Sequence, residues 1–155
     1  LVFSTVHAND APSTITRLLD IGVQPFLVGS CLNMVMAQRL VRRICKECKE
    51  EYKPTKEELA MIQLDAKRLN GGKLFRGKGC SECRQTGYHG RMAIFEMIPM
   101  TRNIRALVFE NANEDKIRET ALQENMVTLR ESGNRRVLDG TTTVEEILRS
   151  TVEEL

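Results

Sequence analysis

Tryptophan is absent from the 155 residues, and aromatic side chains make up only 5 % of them. A chain that binds nucleic acid by stacking bases needs exposed rings, so that chemistry has little to work with here. No excess of one charge is present either. Lys and Arg number 23 against 21 Asp and Glu, a net +2, too little to argue for a phosphate backbone or an acidic membrane surface. No apolar run approaches the roughly 20 residues that span a bilayer. The start, LVFSTVHAND, has neither the basic segment nor the small-residue cleavage site of a secretory signal. It opens on Leu1 and is strand-like at once, as expected of a piece cut from a longer protein. Internal repeats and low-complexity tracts are missing too. What is present, 41 % hydrophobic and 28 % charged residues, is the composition of an ordinary globular chain. The length suffices for one compact domain or two small ones.

Leu1 to Val6 are apolar or β-prone and predict a buried strand. Asn9 or Asp10 can cap a helix whose first turn tolerates Pro12; Ile15, Leu18 and Leu19 give it an apolar face, and Gly22 ends it. Pro25 opens a second, nearly all-apolar helix through FLVGSCLNMVMAQRL, followed by a strand in RLVRRIC. After Cys48 the chain turns polar. Thr55 and Glu58 have the spacing of a capping box, predicting a helix that runs to Leu69 and stops at Asn70-Gly71-Gly72. Short strands are expected in KLFRGKG and from Arg91 to Met97. From Thr101 onward helices are expected, one with Ile104, Leu107 and Val108, the next with Ile117, Ala121 and Leu122. Thr128 with Glu131 and Thr143 with Glu146 offer two more capping boxes, and Asp139-Gly140 separates the last two helices.

Cys45, Cys48, Cys80 and Cys83 form two C-x2-C pairs with thirty-one residues between them. A two-residue gap lets one tight turn aim two sulfurs at a single point. Two such turns, joined by adjacent strands, supply a tetrahedral S4 set for zinc. Lys46, Lys49, Lys78, Arg84 and Arg91 lie close in sequence and can offset the negative charge of four thiolates on one Zn²⁺. With all four positions filled by protein the metal is structural, not catalytic. Disulfides, a redox pair and incidental thiols remain as alternatives. Disulfides need an oxidising compartment, to which nothing in the sequence points, and a redox C-x2-C sits at a helix start. The fifth cysteine, Cys31, reads as a buried small hydrophobe.

His7 ends an apolar strand just before a helix start. Ligands bind at such strand ends in α/β proteins, so His7 is a candidate phosphate contact; a local hydrogen bond in a loop is the competing reading. His89, in GYHGR, reads as an exposed turn residue. Arg39, Arg42 and Arg43 either meet an anion or form a solvated strand edge, and for Arg42 and Arg43 the solvated edge is the expectation.

The series STVHANDA (Ser4 to Ala11), TRLLDIG (Thr16 to Gly22), AQRLVR (Ala37 to Arg42), the two cysteine pairs, GYHGRMAIFE and MVTLRESGNRRVLDGTTTVEE resembles the secretion ATPases of type II secretion and type IV pilus assembly over nearly the whole chain. Asn125 stands where the family carries a glycine, and Ser132 where it carries an acidic residue. The resemblance implies an α/β fold in three parts. These are the end of a RecA-like core (1–44), a zinc-bound β-hairpin subdomain with a helical insertion (45–98) and a C-terminal helical extension (99–155). It implies that His7 lies near the terminal phosphate and senses nucleotide, with Arg39 a further candidate for the nucleotide side. It implies a homo-hexameric, cytoplasmic ATPase, peripheral to the inner membrane, that moves a platform protein embedded there. ATP and Mg²⁺ belong to the complete protein. No G-x4-G-K-[ST] phosphate loop occurs in this chain, so by itself it is expected to be inactive, and no nucleic acid partner is expected. A zinc ribbon serving as a nucleic-acid-binding or regulatory module is the alternative function.

Overall fold

The computed structural model describes residues 1–151, apart from the side chain of Asn70. The elements run α1 (Ala11–Asp20), α2 (Pro25–Cys31), β1 (Met34–Ile44), β2 (Lys49–Tyr52), α3 (Lys56–Met61), β3 (Leu74–Gly77), β4 (Tyr88–Pro99), α4 (Arg102–Phe109), α5 (Glu114–Gln123), α6 (Leu129–Leu138) and α7 (Val144–Ser150). β1 pairs with β4, and β2 pairs antiparallel with β3. The chain is thus mixed α/β, with small two-stranded sheets. It divides into two compact units, Leu1–Gln38 with Phe95–Thr128, and Arg39–Ile94 with the segment from Leu129.

In the first unit, Asp10 caps α1 by accepting the Ser13 N–H while the Ser13 hydroxyl accepts the Asp10 N–H, a reciprocal box that satisfies donors the helix cannot use itself. Gly22, at φ +94°, takes the left-handed turn that ends the helix. Ile15, Val28, Val35, Ile98, Ile104, Val108 and Ile117 form the core. Arg105 of α4 donates to the carbonyls of Gly29 and Leu32, acceptors left open at the end of α2, and to that of Met100.

The second unit closes on β1. Its C-terminal segment reaches this strand through Ile44 N–H to the Thr141 carbonyl at 2.8 Å, and through the Thr142 hydroxyl to the Arg42 carbonyl at 2.8 Å. Thr143 caps α7. The Glu146 side chain does not return to the cap as a capping box would require; it turns inward to Arg42 and Arg149. Val41, Ile62, Leu74, Val137 and Ile147 are buried here.

Several expectations are corrected. Leu1 to Val6 form no strand, and Leu1, Val2 and Phe3 are 88 % exposed or more. A strand exists only where a neighbour completes its hydrogen bonds, and none of the described residues does so. The second helix stops at Cys31, and residues 34–44 are strand throughout. Inside the apolar run Met34-Val35-Met36 alternates exposed, buried, exposed, the period of two that marks a strand. Cys31 is exposed, not buried. The helix opened by Thr55 and Glu58 has its capping box but covers only Lys56–Met61; two 3₁₀ turns, Ala66–Arg68 and Asn70–Gly72, replace the rest. Gln63 at φ +55° leaves the right-handed helix there, and Leu64 is buried. Arg42 is no solvated edge residue, because its guanidinium pairs with the buried Glu146.

Candidate metal centre

Cys45 follows β1, and Cys48 closes a 3₁₀ turn that leads into β2. The register of β2 on β3 sets Lys49 opposite Gly77, so the chain leaving β3 meets the first cysteine pair at once. Lys78 N–H donates to the Cys48 carbonyl at 3.0 Å and Cys45 N–H to the Gly87 carbonyl at 2.9 Å. The turn from Cys80 to Gly87 then folds back on itself. Gln85 N–H reaches the Cys80 carbonyl at 2.8 Å, and Arg84 and Gln85 both have positive φ. These strands and turns therefore bring the two distant C-x2-C pairs together.

The sulfurs stand 3.9 Å apart for Cys45 and Cys80, 3.8 Å for Cys48 and Cys83, and 3.7 Å for Cys80 and Cys83. All four lie within 4.8 Å of one another. A disulfide needs a separation near 2.05 Å, so these are four thiols. Ligands about 2.3 Å from a central zinc in tetrahedral directions stand about 3.8 Å from each other, and these three spacings match that edge. Backbone N–H groups surround the set: Gly79 donates to the Cys48 sulfur, and Cys80 and Gly87 to the Cys83 sulfur, each at 3.2 Å. Such donors orient thiolates and disperse their charge. Burial pushes the Cys83 thiol up, but the N–H groups of Cys80 and Gly87 and the neighbouring thiols outweigh it and hold it down at about 6. Cys48 is pushed up to about 12, by burial first and by the adjacent thiols after the Gly79 N–H has offset part of it. One sulfur of the set is thus already disposed to be a thiolate, the form a metal takes.

Gly77 and Gly87 were not among the candidates read from the sequence. A Cβ on Gly77 would sit 2.0 Å from the Gly87 carbonyl oxygen, and Gly87 itself has φ +76°. Only two glycines allow the end of β3 to touch the start of β4 so closely. Gly77→Ala is expected to lower stability by about 1–3 kcal/mol, because backbone must move to admit the methyl. A urea midpoint unchanged from wild type would show that the turn tolerates the shift.

His7 is exposed on the loop preceding α1, in the first unit; Arg39 is half-buried on β1 and belongs to the second. His89 is exposed, with Nδ1 3.9 Å from Glu82. Of the basic residues expected to offset the thiolates, Lys49 instead places its ammonium 4.1 Å from the centre of the Phe75 ring.

The chain is mixed α/β, and its four thiols, drawn from turns beside two small sheets, form a cluster that could hold a metal ion. The family model described as "Type II/IV secretion system protein" matches residues 1–149, and the chain belongs to that family. It is 43 % identical over 153 residues to the type IV pilus assembly ATPase PilB of Thermus thermophilus, covering 99 % of this chain and 17 % of that protein. It is 42 % identical over 154 residues to the type II secretion system protein E of Pseudomonas aeruginosa, covering 99 % of this chain and 30 % of that protein. It is 38 % identical over 153 residues to the type II secretion system ATPase E of Vibrio cholerae, with coverage of 99 % and 30 %. The chain therefore spans less than a third of the length of these relatives. No helix among the described residues is long and apolar enough to cross a membrane.

Proposed function

We propose that the chain is the C-terminal part of a hexameric ATPase that powers type II secretion or type IV pilus assembly. It supplies the end of a RecA-like core with the nucleotide-sensing His7, and a zinc site that fixes local structure. The observation that carries this reading is the match of residues 1–149 to the family, with relatives named as pilus assembly or secretion system ATPases aligned over 97 to 99 % of the chain. The sulfur spacing supports zinc within it: Cys45, Cys48, Cys80 and Cys83 hold the ion, and no open position is left for water. Arg39 is the further candidate for the nucleotide side. The complete protein binds ATP and Mg²⁺, works at the cytoplasmic face of the inner membrane, and acts on a platform protein there.

Phosphoryl transfer rests on positioning and charge stabilisation by a phosphate loop, its Lys and Mg²⁺, and this chain carries no such loop. One hydrogen bond from His7 to a phosphate is worth about 1.5–3 kcal/mol if charge-assisted, while millimolar affinity needs about 4.1 kcal/mol. The chain alone is therefore expected to show no Mg²⁺-dependent ATP hydrolysis and to bind ATP more weakly than millimolar. In the full-length protein His7→Ala is expected to lower turnover roughly tenfold to hundredfold, the rate equivalent of that hydrogen bond, with zinc content and thermal midpoint unchanged. Hydrolysis by the chain alone would overturn the division of labour. Wild-type turnover in the full-length His7→Ala protein would remove the sensing role.

A further inference from the structure

Glu96, on β4 in the first unit, is 2 % exposed. A carboxylate so buried is costly unless its oxygens meet donors. Its Oε1 accepts the backbone N–H of Ala11, the first residue of α1, at 2.9 Å. Asp10, immediately before, caps the same helix. Its Oδ1 accepts the Ser13 N–H at 2.9 Å, and its Oδ2 accepts from the guanidinium of Arg118 on α5 at 2.7 Å. Arg118 in turn donates to Glu114, one turn earlier on its own helix. Burial pushes the Asp10 carboxyl up, but the hydrogen bonds from Ser13 and Arg118 outweigh it and hold it below the usual carboxylate range.

Three elements thus converge on residues 10 and 11: α1 itself, β4 through Glu96 and α5 through Arg118. Pro12 has no N–H, and the free donors of Ala11 and Ser13 are taken by carboxylates. The anion site that an open helix start would offer is therefore closed, which leaves the preceding loop, with His7, as the nearby group available to meet a phosphate. His7 lies three residues before Asp10, no more than about 10 Å of extended chain, so its imidazole is carried on a short lever rooted at this junction.

We propose that Glu96, together with the Asp10–Arg118 pair, positions His7. The buried carboxylate fixes the first peptide of α1, and the ion pair fixes the cap, so that the loop departs in one direction and presents the imidazole at one place. These are positioning residues, because they act through His7 and touch no nucleotide. The inference rests on the reading of His7 as a nucleotide-sensing group. Displacement of a reacting or contacting group by about 1 Å is enough to cost about a hundredfold in rate, so a loosened root is expected to matter although it lies apart from the phosphate.

The test uses the full-length protein. Glu96→Ala is expected to lower kcat for ATP about tenfold or more while KM for ATP stays within about twofold, the pattern of an interaction felt at the chemical step. Glu96→Gln keeps an oxygen that accepts the Ala11 N–H, and is expected to recover kcat to within about threefold of wild type. Hydrogen exchange at the Ala11 amide should quicken in the Ala variant and not in the Gln variant. Arg118→Ala, at a half-buried position, serves where Glu96→Ala does not fold, and is expected to lower kcat several-fold with recovery in Arg118→Lys. Equal losses in Glu96→Ala and Glu96→Gln, tracking a lowered thermal midpoint, would reduce Glu96 to a packing residue and overturn the proposal. So would wild-type kcat in Arg118→Ala. A wild-type full-length protein without ATP turnover would overturn the functional reading as well. An active wild type whose Glu96→Ala variant matches it would overturn this inference alone.

Discussion

Metal-free protein is expected to lose the ordered turn from Lys78 to Gly87 while α1, α2, α4 and α5 stay folded. Within that turn only Cys83 and Gly87 are buried, and Gly87 brings no side chain. Apolar burial at about 25 cal/mol per Å² therefore has nothing there to act on. What holds the segment is the four-sulfur set, the N–H groups aimed at it from Gly79, Cys80 and Gly87, and a few backbone bonds such as Lys78 to Cys48 and Gln85 to Cys80. Closed structural zinc sites bind with an apparent 10–16 kcal/mol or so, as much as the whole stability of a typical domain, about 5–15 kcal/mol. Removing the ion thus outweighs the local hydrogen bonds by a wide margin. The first unit has its own core around Ile15, Ile104 and Ile117, which explains the expected survival of its helices. Protein expressed without added zinc is expected to carry about one zinc per chain, and Cys45→Ser or Cys80→Ser to carry none. After treatment with a strong chelator, the amides of Gly79 and Gly87 should exchange freely while those of α1 and α4 remain protected. Retained metal in both Ser variants, or protected Gly87 in the stripped protein, would sink the assignment. About one iron per chain in place of zinc would keep the ligands and change the ion, since an S4 set also suits iron.

The ligand set was legible in the sequence because a C-x2-C turn is a local device: two residues of spacing decide where two sulfurs point. The caps at Asp10, Thr55 and Thr143 were legible for the same reason. Strands were harder. Residues 34–38 look helical in composition, and only pairing with β4 settles them as strand, information that lies more than fifty residues away in the chain. The exposed stretch Leu1–Phe3 shows the reverse case, an apolar run whose conformation depends on a neighbour. The helix opened by Thr55 stops at Met61, and the chain leaves the helical path at Gln63 just before the buried Leu64, a tertiary outcome that no local signal marks. Gly77 was invisible as a site residue, since its role is to lack a Cβ where another backbone passes. Glu96 was quoted only as a motif letter and Glu146 was read as a capping-box residue, and nothing local marks a carboxylate as buried.

Arg42→Ala is expected to destabilise the chain by about 3 kcal/mol, the lower end of the range for breaking a buried ion pair by removing one partner. Glu146 is fully buried at 0 % side-chain exposure, and accepts from Arg42, which is 36 % exposed, and from Arg149, which is 61 % exposed. The hydrogen bond that Arg42 donates to Glu146 is the leading cause that raises its guanidinium above its ordinary value, so the arginine is held charged. Without Arg42 the carboxylate still keeps the more exposed Arg149, which is why the loss falls at the low end. The same guanidinium lies 4.1 Å from the centre of the Tyr88 ring, a contact worth about 0.5–1 kcal/mol where partly exposed, and the Tyr88 hydroxyl stands 2.7 Å from the Thr143 hydroxyl at the cap of α7. Arg42 therefore joins β1, the start of β4 and α7 in one contact. Lysine has neither the planar face for the ring nor the fork for the carboxylate, so Arg42→Lys should recover less than half of the loss. Urea unfolding of Arg42→Ala, Glu146→Gln and the double variant should show coupling of at least 0.5 kcal/mol or so, as directly bonded residues do. Zinc content should remain at the wild-type level in all three, because none of these side chains donates to the sulfurs. A midpoint for Arg42→Ala within about 0.5 kcal/mol of wild type would return this arginine to the solvated strand edge that its sequence neighbourhood predicts.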